Sequence, residues 1–190
     1  MNKRYFIWII CLLLCMPLTG CGEEVSHENN NNTEEKQDES IPKEYRKALD
    51  KAIIYNESMH MSKLGIYDQL ISEYGENLSK EAAQYAIDNL EADYKENALK
   101  NAENYSESMN MSKLGIYDQL VSEYGEQFTK EEAQYAIDNL EADYKENALK
   151  SAKSYKDLDM SKDEIYDQLI SEYGEQFTKE EAKYAIEHLE

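Results

Sequence analysis

Residues 61–70, MSKLGIYDQL, decide the fold because this stretch returns twice along the chain. It recurs unchanged at 111–120 and as MSKDEIYDQL at 160–169, with spacings of 50 and 49 residues. Residues 62–100 and 112–150 differ at only five of 39 positions. Self-similarity at a fixed period of this size is typical of tandem-repeat proteins, in which neighbouring copies stack.

The second helix of each copy is the most clearly marked. Ser62 is predicted as its N-cap, and Met61 and Ile66 flank the cap as a hydrophobic staple. Apolar residues then recur at helical spacing as far as Tyr74, and Gly75 is predicted to end the helix. The pattern predicts a helix followed by a short turn.

The other two helices also begin at recognisable caps. The third helix follows Thr129 in the second copy, and Glu132 three residues later completes a capping box. Asp93 caps the first helix of the next copy, only a few residues after the third helix ends. The sequence therefore predicts an all-α fold of tandem three-helix, helix-turn-helix-like repeats. The predicted repeats are residues 42–92, 93–142 and 143–190.

The N-terminal segment has a different character. Lys3 and Arg4 precede about a dozen apolar residues, which is a signal-peptide pattern and too short for a permanent membrane helix. The letters LTGC follow and end at Cys21, which resembles a bacterial lipobox. Residues 1–20 are predicted to be a lipoprotein signal peptide, and Cys21 is predicted to carry the lipid. Residues 21–41 are polar and acidic and are predicted to form a disordered tether.

The charge of the chain excludes several kinds of partner. The net charge is −20, and removing the basic residues Lys3 and Arg4 with the signal leaves 18 basic and 40 acidic side chains, a net −22. Such a polyanion repels nucleic acids, so no nucleic-acid partner is expected despite the helix-turn-helix-like shape. Basic partners are favoured instead.

Catalytic and cofactor motifs are missing from the sequence. His27 lies in the predicted tether, His60 is matched by Asn110 and Asp159 in the other copies, and His188 is matched by asparagines. Because no histidine recurs at one repeat position, a repeated metal or acid-base site is not supported. Gly-rich phosphate loops and nucleophile elbows are also absent from the sequence. We expect neither an enzyme nor a cofactor.

A polar patch repeated on the second helix is the candidate binding surface. Its four positions per copy lie opposite the predicted apolar face, so the core does not require them. The candidate residues are Asp68, Gln69, Ser72, Glu73, Asp118, Gln119, Ser122, Glu123, Asp167, Gln168, Ser171 and Glu172. The alternative is that recent duplication left the copies no time to diverge, and the near-identity of the first two copies favours it.

At the stretches MSKLGIYDQL, SEYGEQFTKEEAQYAIDNL and ADYKENALK, the chain resembles the Ltp family of host-cell-surface-exposed phage lipoproteins. The resemblance implies repeated three-helix domains, often two, so three copies are a departure. It also implies superinfection exclusion, in which the lipoprotein stops a related phage from injecting DNA by engaging its tape measure protein. The expected location is the outer face of a Gram-positive cell membrane, through lipid on Cys21. A host-encoded surface lipoprotein with a structural or cell-wall role is the alternative function.

Overall fold

A computed structural model describes residues 40–190 of the chain. The predicted signal peptide, Cys21 and most of the predicted tether lie outside the described residues. The described part consists of helices and connecting turns, without strands. The helices are α1 Lys43–Met59, α2 Lys63–Ile71, α3 Lys80–Asn89, α4 Tyr94–Met109, α5 Lys113–Val121, α6 Lys130–Asn139, α7 Tyr144–Lys156, α8 Lys162–Ile170 and α9 Lys179–His188. None of these helices has the length and hydrophobicity that crossing a bilayer requires.

The helices group in threes, which confirms the predicted all-α repeat fold. Module 1 comprises α1–α3, module 2 α4–α6 and module 3 α7–α9, and in each the first helix packs against the third with the second beside them. Each module has its own buried cluster of apolar side chains. In module 2, Ala98, Ala102 and Ala133 are buried against Ile116 and Leu120. The small alanines allow the helices to approach closely around the two larger side chains.

The predicted helix starts are confirmed by their capping hydrogen bonds. The Ser62 side chain accepts from the Gly65 backbone N–H at 3.0 Å. Thr129 and Glu132 form the predicted capping box before α6. The Asp93 carboxylate accepts two backbone N–H groups at the start of α4. Each cap satisfies amides that the first helical turn leaves without partners.

The predicted end of the second helix is wrong. Helix α2 ends at Ile71, because Ser72 has an extended ψ of 137° and its carbonyl turns to accept the N–H groups of Gly75 and Asn77. Tyr74 therefore lies in the turn, 99% exposed, and not on the apolar face of the helix. The polypeptide leaves the helix three residues earlier than the side-chain pattern indicates.

Gly75 instead serves the close approach of this turn to the end of α2. A Cβ at Gly75 would lie 2.2 Å from the carbonyl oxygen of Gln69. The equivalent distance is 2.4 Å between a Cβ at Gly125 and the carbonyl oxygen of Gln119. Real atoms do not approach backbone oxygens so closely, so any side chain here forces the backbone apart.

Gly125→Ala is expected to lower the free energy of unfolding by about 1–3 kcal/mol, the usual cost of overpacking. The matched control is Gly115→Ala, where the nearest atom to the new Cβ is the Ser112 hydroxyl oxygen at 3.1 Å, and a side chain yields more readily than a backbone. Denaturant unfolding followed by circular dichroism measures both. Equal stability of the two variants would contradict the role given to Gly125.

Candidate interaction surface

The turn after each second helix forms the same exposed projection three times. We call it the Tyr turn, and it comprises residues 72–77, 122–127 and 171–176. In the second copy, the Ser122 carbonyl accepts the N–H groups of Gly125 and Gln127, and its hydroxyl oxygen accepts the N–H of Tyr124 at 3.2 Å. The backbone of the turn is thus satisfied locally, and the tyrosine remains outside.

The exposed tyrosines of the three turns have no part in the buried clusters. Tyr74, Tyr124 and Tyr173 are 99%, 97% and 90% exposed. An aromatic ring that stays in water does not stabilise the folded module through burial. Tyrosine is, however, enriched among the residues that contribute most of the binding energy at interfaces. The three rings are candidate contact residues that the sequence pattern had assigned to the core face.

A second tyrosine, on the first helix of each module, contacts the Tyr turn through a hydrogen bond to its glutamate. Tyr155 donates its hydroxyl hydrogen to Glu175, and Tyr105 donates to Glu126 in the same way. Burial is the main cause that raises the pKa of Tyr155 to about 12, and the carboxylate of Glu175 adds to the shift. Both phenols therefore stay protonated at neutral pH and act as hydrogen-bond donors to the turn.

The four-residue patch predicted on the second helix is divided by the structure. Asp68 and Glu73 are exposed, whereas Gln69 and Ser72 are half-buried. The Gln69 carbonyl accepts the Glu76 N–H at 3.1 Å, and the Ser72 hydroxyl oxygen accepts an N–H of the turn. The same division holds for the equivalent positions in modules 2 and 3. The carboxylates thus face solvent, and the glutamine and serine positions hold the turn.

Modules 1 and 2 are joined by side-chain amides. Asn97 of α4 is only 6% exposed, and its Nδ2 donates to Asn56 Oδ1 at 2.8 Å and to the Met61 carbonyl at 3.0 Å. Asn101, one turn later, donates to the carbonyl of His60 at 2.8 Å. His60 has the left-handed backbone of a helix C-cap, so carbonyls beyond the end of α1 accept donors from the next module.

The joint between modules 2 and 3 repeats this arrangement. Asn147 is 5% exposed, and its Nδ2 donates to Ser106 Oγ at 2.9 Å and to the Met111 carbonyl at 3.2 Å. The Ser151 hydroxyl donates to the Asn110 carbonyl at 3.3 Å. Buried donors held in one geometry fix how neighbouring modules sit against each other.

Module 1 carries lysines where modules 2 and 3 carry these joint residues. Lys47 and Lys51 instead approach Glu76 of their own Tyr turn, with Nζ to carboxylate distances of 3.3 and 2.7 Å. The hydrogen bond from Lys51 is the main cause that lowers the pKa of Glu76. In module 1, these two positions therefore form ion pairs within their own module.

The glycine of the second helix lies within van der Waals reach of the next module. The carbonyl oxygen of Glu126 in module 2 lies 3.8 Å from the position of a Cβ on Gly65 in module 1. The carbonyl oxygen of Glu175 lies 3.7 Å from the same position on Gly115. Module 3 has Glu164 at this place, where it forms a capping box, and no described module packs there.

Two open grooves run between neighbouring modules. Groove 1, between modules 1 and 2, has a volume of about 820 Å³. Groove 2, between modules 2 and 3, has a volume of about 630 Å³. Apolar side chains line groove 1: Leu64, Tyr67, Ile87, Val121 and Phe128. Their counterparts line groove 2: Leu114, Tyr117, Ile137, Ile170 and Phe177.

Carboxylates outnumber lysines around both grooves. Asp68, Glu123 and Glu132 border groove 1 with Lys63 as the cation. Groove 2 is bordered by the acids Glu172 and Glu181 and by Lys113. Two exposed acids of the predicted patch, Asp68 and Glu123, thus come from different modules and meet at one groove. The arrangement suits an apolar ligand that carries positive charge.

Comparison of the three repeats reveals a signal for the grooves that a single repeat does not show. The pair Leu64-Gly65 recurs as Leu114-Gly115, but it becomes Asp163-Glu164 in module 3. The apolar pair is present where another module packs and charged where none is described. Within residues 40–190, no group of three or more His, Cys, Asp or Glu side chains is placed to hold a metal ion.

Fold and surface together define a tandem-repeat protein of three-helix modules, with polar joints, acid-rimmed grooves and exposed tyrosines. The model of the Ltp family, described as host cell surface-exposed lipoproteins, matches residues 43–90, 93–140 and 143–189. The chain therefore belongs to the family of host cell surface-exposed lipoproteins.

The chain is similar to Ltp, a superinfection exclusion protein from the Streptococcus thermophilus temperate phage TP-J34, with 44% sequence identity and a TM-score of 0.48. The match covers 53% of this chain and 99% of that chain. No curated protein sequence matches this chain.

Proposed function

We propose that this chain is a membrane-anchored lipoprotein that blocks DNA injection by related phages. The observation that carries the proposal is the match of the surface-lipoprotein family to all three modules. The relative from phage TP-J34, 44% identical in sequence, is a superinfection exclusion protein. Exclusion by binding requires an accessible recognition surface and no catalytic group, which agrees with the tyrosines and carboxylates described above.

Anchoring gives such a surface its place of action. In this proposal, lipid on Cys21 holds the chain on the outer face of a Gram-positive cell membrane. For a random-coil segment of about twenty residues, the length proposed for the tether, the r.m.s. end-to-end distance is roughly 25 Å. The modules then lie close to the membrane, where an incoming phage tape measure protein passes.

The repeated surface suits capture of that protein. Three Tyr turns and two grooves offer several weak contacts to one long ligand. Linked weak sites gain avidity through effective concentration, by about 10²–10⁴-fold. The acid-rich rims also favour association with a basic segment, in a salt-dependent manner.

A phage challenge tests the proposal. With the chain expressed in a sensitive Gram-positive host, we expect related phages to adsorb normally, while DNA entry and plaque formation fall sharply. Because release from the membrane removes the high local concentration that an anchor provides, Cys21→Ala is expected to remove most of the protection. Adsorption, DNA entry and plaque counts are measured separately for both proteins.

Three results would count against the proposal. Unchanged plaque formation by all related phages would exclude the activity, and reduced adsorption would indicate receptor masking instead of blocked injection. Full protection by the Cys21→Ala variant at ordinary expression would exclude a role for the anchor. Immunoblots of membrane and medium fractions give the matched control for expression level.

A further inference from the structure

We infer that grooves 1 and 2 each bind a basic amphipathic peptide segment, with its apolar side chains in the groove and its Lys or Arg side chains at the rim. The inference rests on the proposed function, because it assigns the recognition step to particular places on the modules. It differs from a general attraction between an acidic protein and a basic partner, since it requires an apolar contact at the joints.

The apolar lining is the first step of the argument. Leu64 and Leu114 are each 52% exposed, although leucine is ordinarily withdrawn from water. They border grooves whose volumes, about 820 and 630 Å³, lie in the range of ligand-binding clefts. Apolar side chains of a peptide that enter each groove would cover its leucine and remove it from solvent.

The third module shows that the exposed leucine is not needed for folding. Asp163 stands at this position in module 3, and α8 has the same serine N-cap and the same buried isoleucine and leucine as α2 and α5. The fold therefore accepts a carboxylate here. Leucine is found in the two modules where the position faces a groove, which links its presence to the groove.

The charges at the rim select the polar part of the ligand. Glu123 at groove 1 and Glu172 at groove 2 are exposed and come directly before the exposed rings of Tyr124 and Tyr173. A carboxylate next to an exposed aromatic ring suits Lys or Arg, through ion pairing and through contact of the cation with the ring face. An acidic peptide would be repelled by the same rim.

The two grooves can serve one ligand because module 2 contributes to both. Val121 and Phe128 line groove 1, whereas Leu114 and Ile137 line groove 2. The polar joints fix the spacing between the grooves, so a long helical segment with a repeated apolar face meets two equivalent sites. Occupation of the second groove is then intramolecular and raises the overall affinity.

The test is a peptide titration that uses no phage. The full chain is placed in phosphatidylcholine nanodiscs, and a fluorescein-labelled Leu/Lys peptide of about 18 residues, five helical turns with leucine on one face, is titrated by anisotropy. Empty nanodiscs supply the baseline. A scrambled peptide of the same composition lacks the apolar face. We expect saturable binding of the amphipathic peptide and much weaker binding of the scrambled one.

A double variant tests whether the peptide binds in the grooves. Leu64→Asp with Leu114→Asp copies the residue of module 3 and is expected to lower the affinity about tenfold or more, because two apolar contacts are lost. The matched control is Leu158→Asp, which changes a leucine that is 71% exposed and lines neither groove. The control is expected to bind as the unchanged chain does.

The charge contribution is tested at residues that the fold does not need. Glu123→Gln with Glu172→Gln is expected to weaken binding and to reduce its salt dependence. Glu91→Gln with Glu141→Gln removes the same charge from exposed positions outside the grooves and is the control. Circular dichroism verifies that all variants remain helical.

The inference is overturned if the unchanged chain shows no saturable binding, if the scrambled peptide binds equally, or if Leu158→Asp weakens binding as much as the groove variant. Phage challenge of the same variants separates this inference from the proposed function. Groove-dependent peptide binding without phage exclusion would reject the proposed function alone. Exclusion that survives loss of peptide binding would reject the groove as its recognition site.

Discussion

Asn147→Asp is expected to destabilise the joint between modules 2 and 3 by about 3–5 kcal/mol at neutral pH, the cost of an uncompensated buried charge. The side chain is 5% exposed, and its Nδ2 now donates to the Met111 carbonyl and to Ser106 Oγ. A carboxylate places an acceptor oxygen against the carbonyl and brings a charge into a site built for an amide.

The effect has a predictable pH dependence. Burial raises the pKa of the new carboxyl group in the folded state, since the charged form is disfavoured there. The protonated form therefore restores most of the lost stability below the unfolded pKa of about 3.9, and the loss grows as the pH rises through the folded pKa. Denaturant unfolding at several pH values measures this dependence.

Asn104→Asp on α4 is the matched control, because Asn104 is exposed and gains the same charge in water. Surface substitutions of this kind change stability by about 0.5 kcal/mol or less. If both variants had the same stability at neutral pH, Asn147 would not be a buried joint residue. Amide hydrogen exchange near Met111 would show directly whether the joint opens.

The sequence predicts those features of the structure that depend on contacts between residues close together in the chain. The caps at Ser62, Asp93 and Thr129 were predictable because each satisfies amides within three residues. The end of α2 was not, since the spacing from Leu70 to Tyr74 continues the helical pattern. The chain leaves the helix because the Leu70 carbonyl accepts the N–H of Leu78 across the turn.

The joints between modules could not be predicted from local sequence, because their contacts join residues far apart in the chain. Asn97 sits in a helix whose polar residues are ordinarily solvated, and its acceptor on Met61 is 36 residues away. Only the comparison of copies carries the signal, because module 1 has Lys47 at this position. A residue that changes character between otherwise similar repeats marks a contact between repeats.

Only those parts of the candidate site that belong to a single module could be predicted from the sequence. The patch on one helix is a property of one module, so its exposed carboxylates, such as Asp68, follow from helical periodicity. A groove needs two modules: Asp68 and Glu123 meet only after the joints have set the geometry. The exposed Tyr124 was missed because a tyrosine at helical spacing resembles a core residue.

Leu120→Ala is expected to lower the stability of module 2 by about 3 kcal/mol, through lost burial and the cavity that remains. Leu120 is fully buried in the core of module 2, where four of the eight buried residues are alanines that cannot extend into the space a removed side chain leaves. A module of about 50 residues has a stability of roughly 2.5–7.5 kcal/mol at the usual value per residue. The substitution therefore removes a large part of the stability of this module.

Hydrogen exchange read by mass spectrometry measures the loss module by module. Leu70→Ala and Leu169→Ala make the same change in modules 1 and 3, and Leu158→Ala is the exposed control. Exchange is expected to accelerate most in the module that carries the substitution, because each has a separate core. Equal acceleration in all three modules would contradict separate cores.

Destabilisation of the central module should affect more of the molecule than destabilisation of module 1 or module 3. Module 2 takes part in both joints, through Asn97 on one side and Ser106 and Met111 on the other. It also supplies one wall of each groove. In a repeat array, stability is the sum of module terms and nearest-neighbour terms. Leu120→Ala should therefore weaken both joints and both grooves, whereas the same change in module 1 or 3 affects one of each.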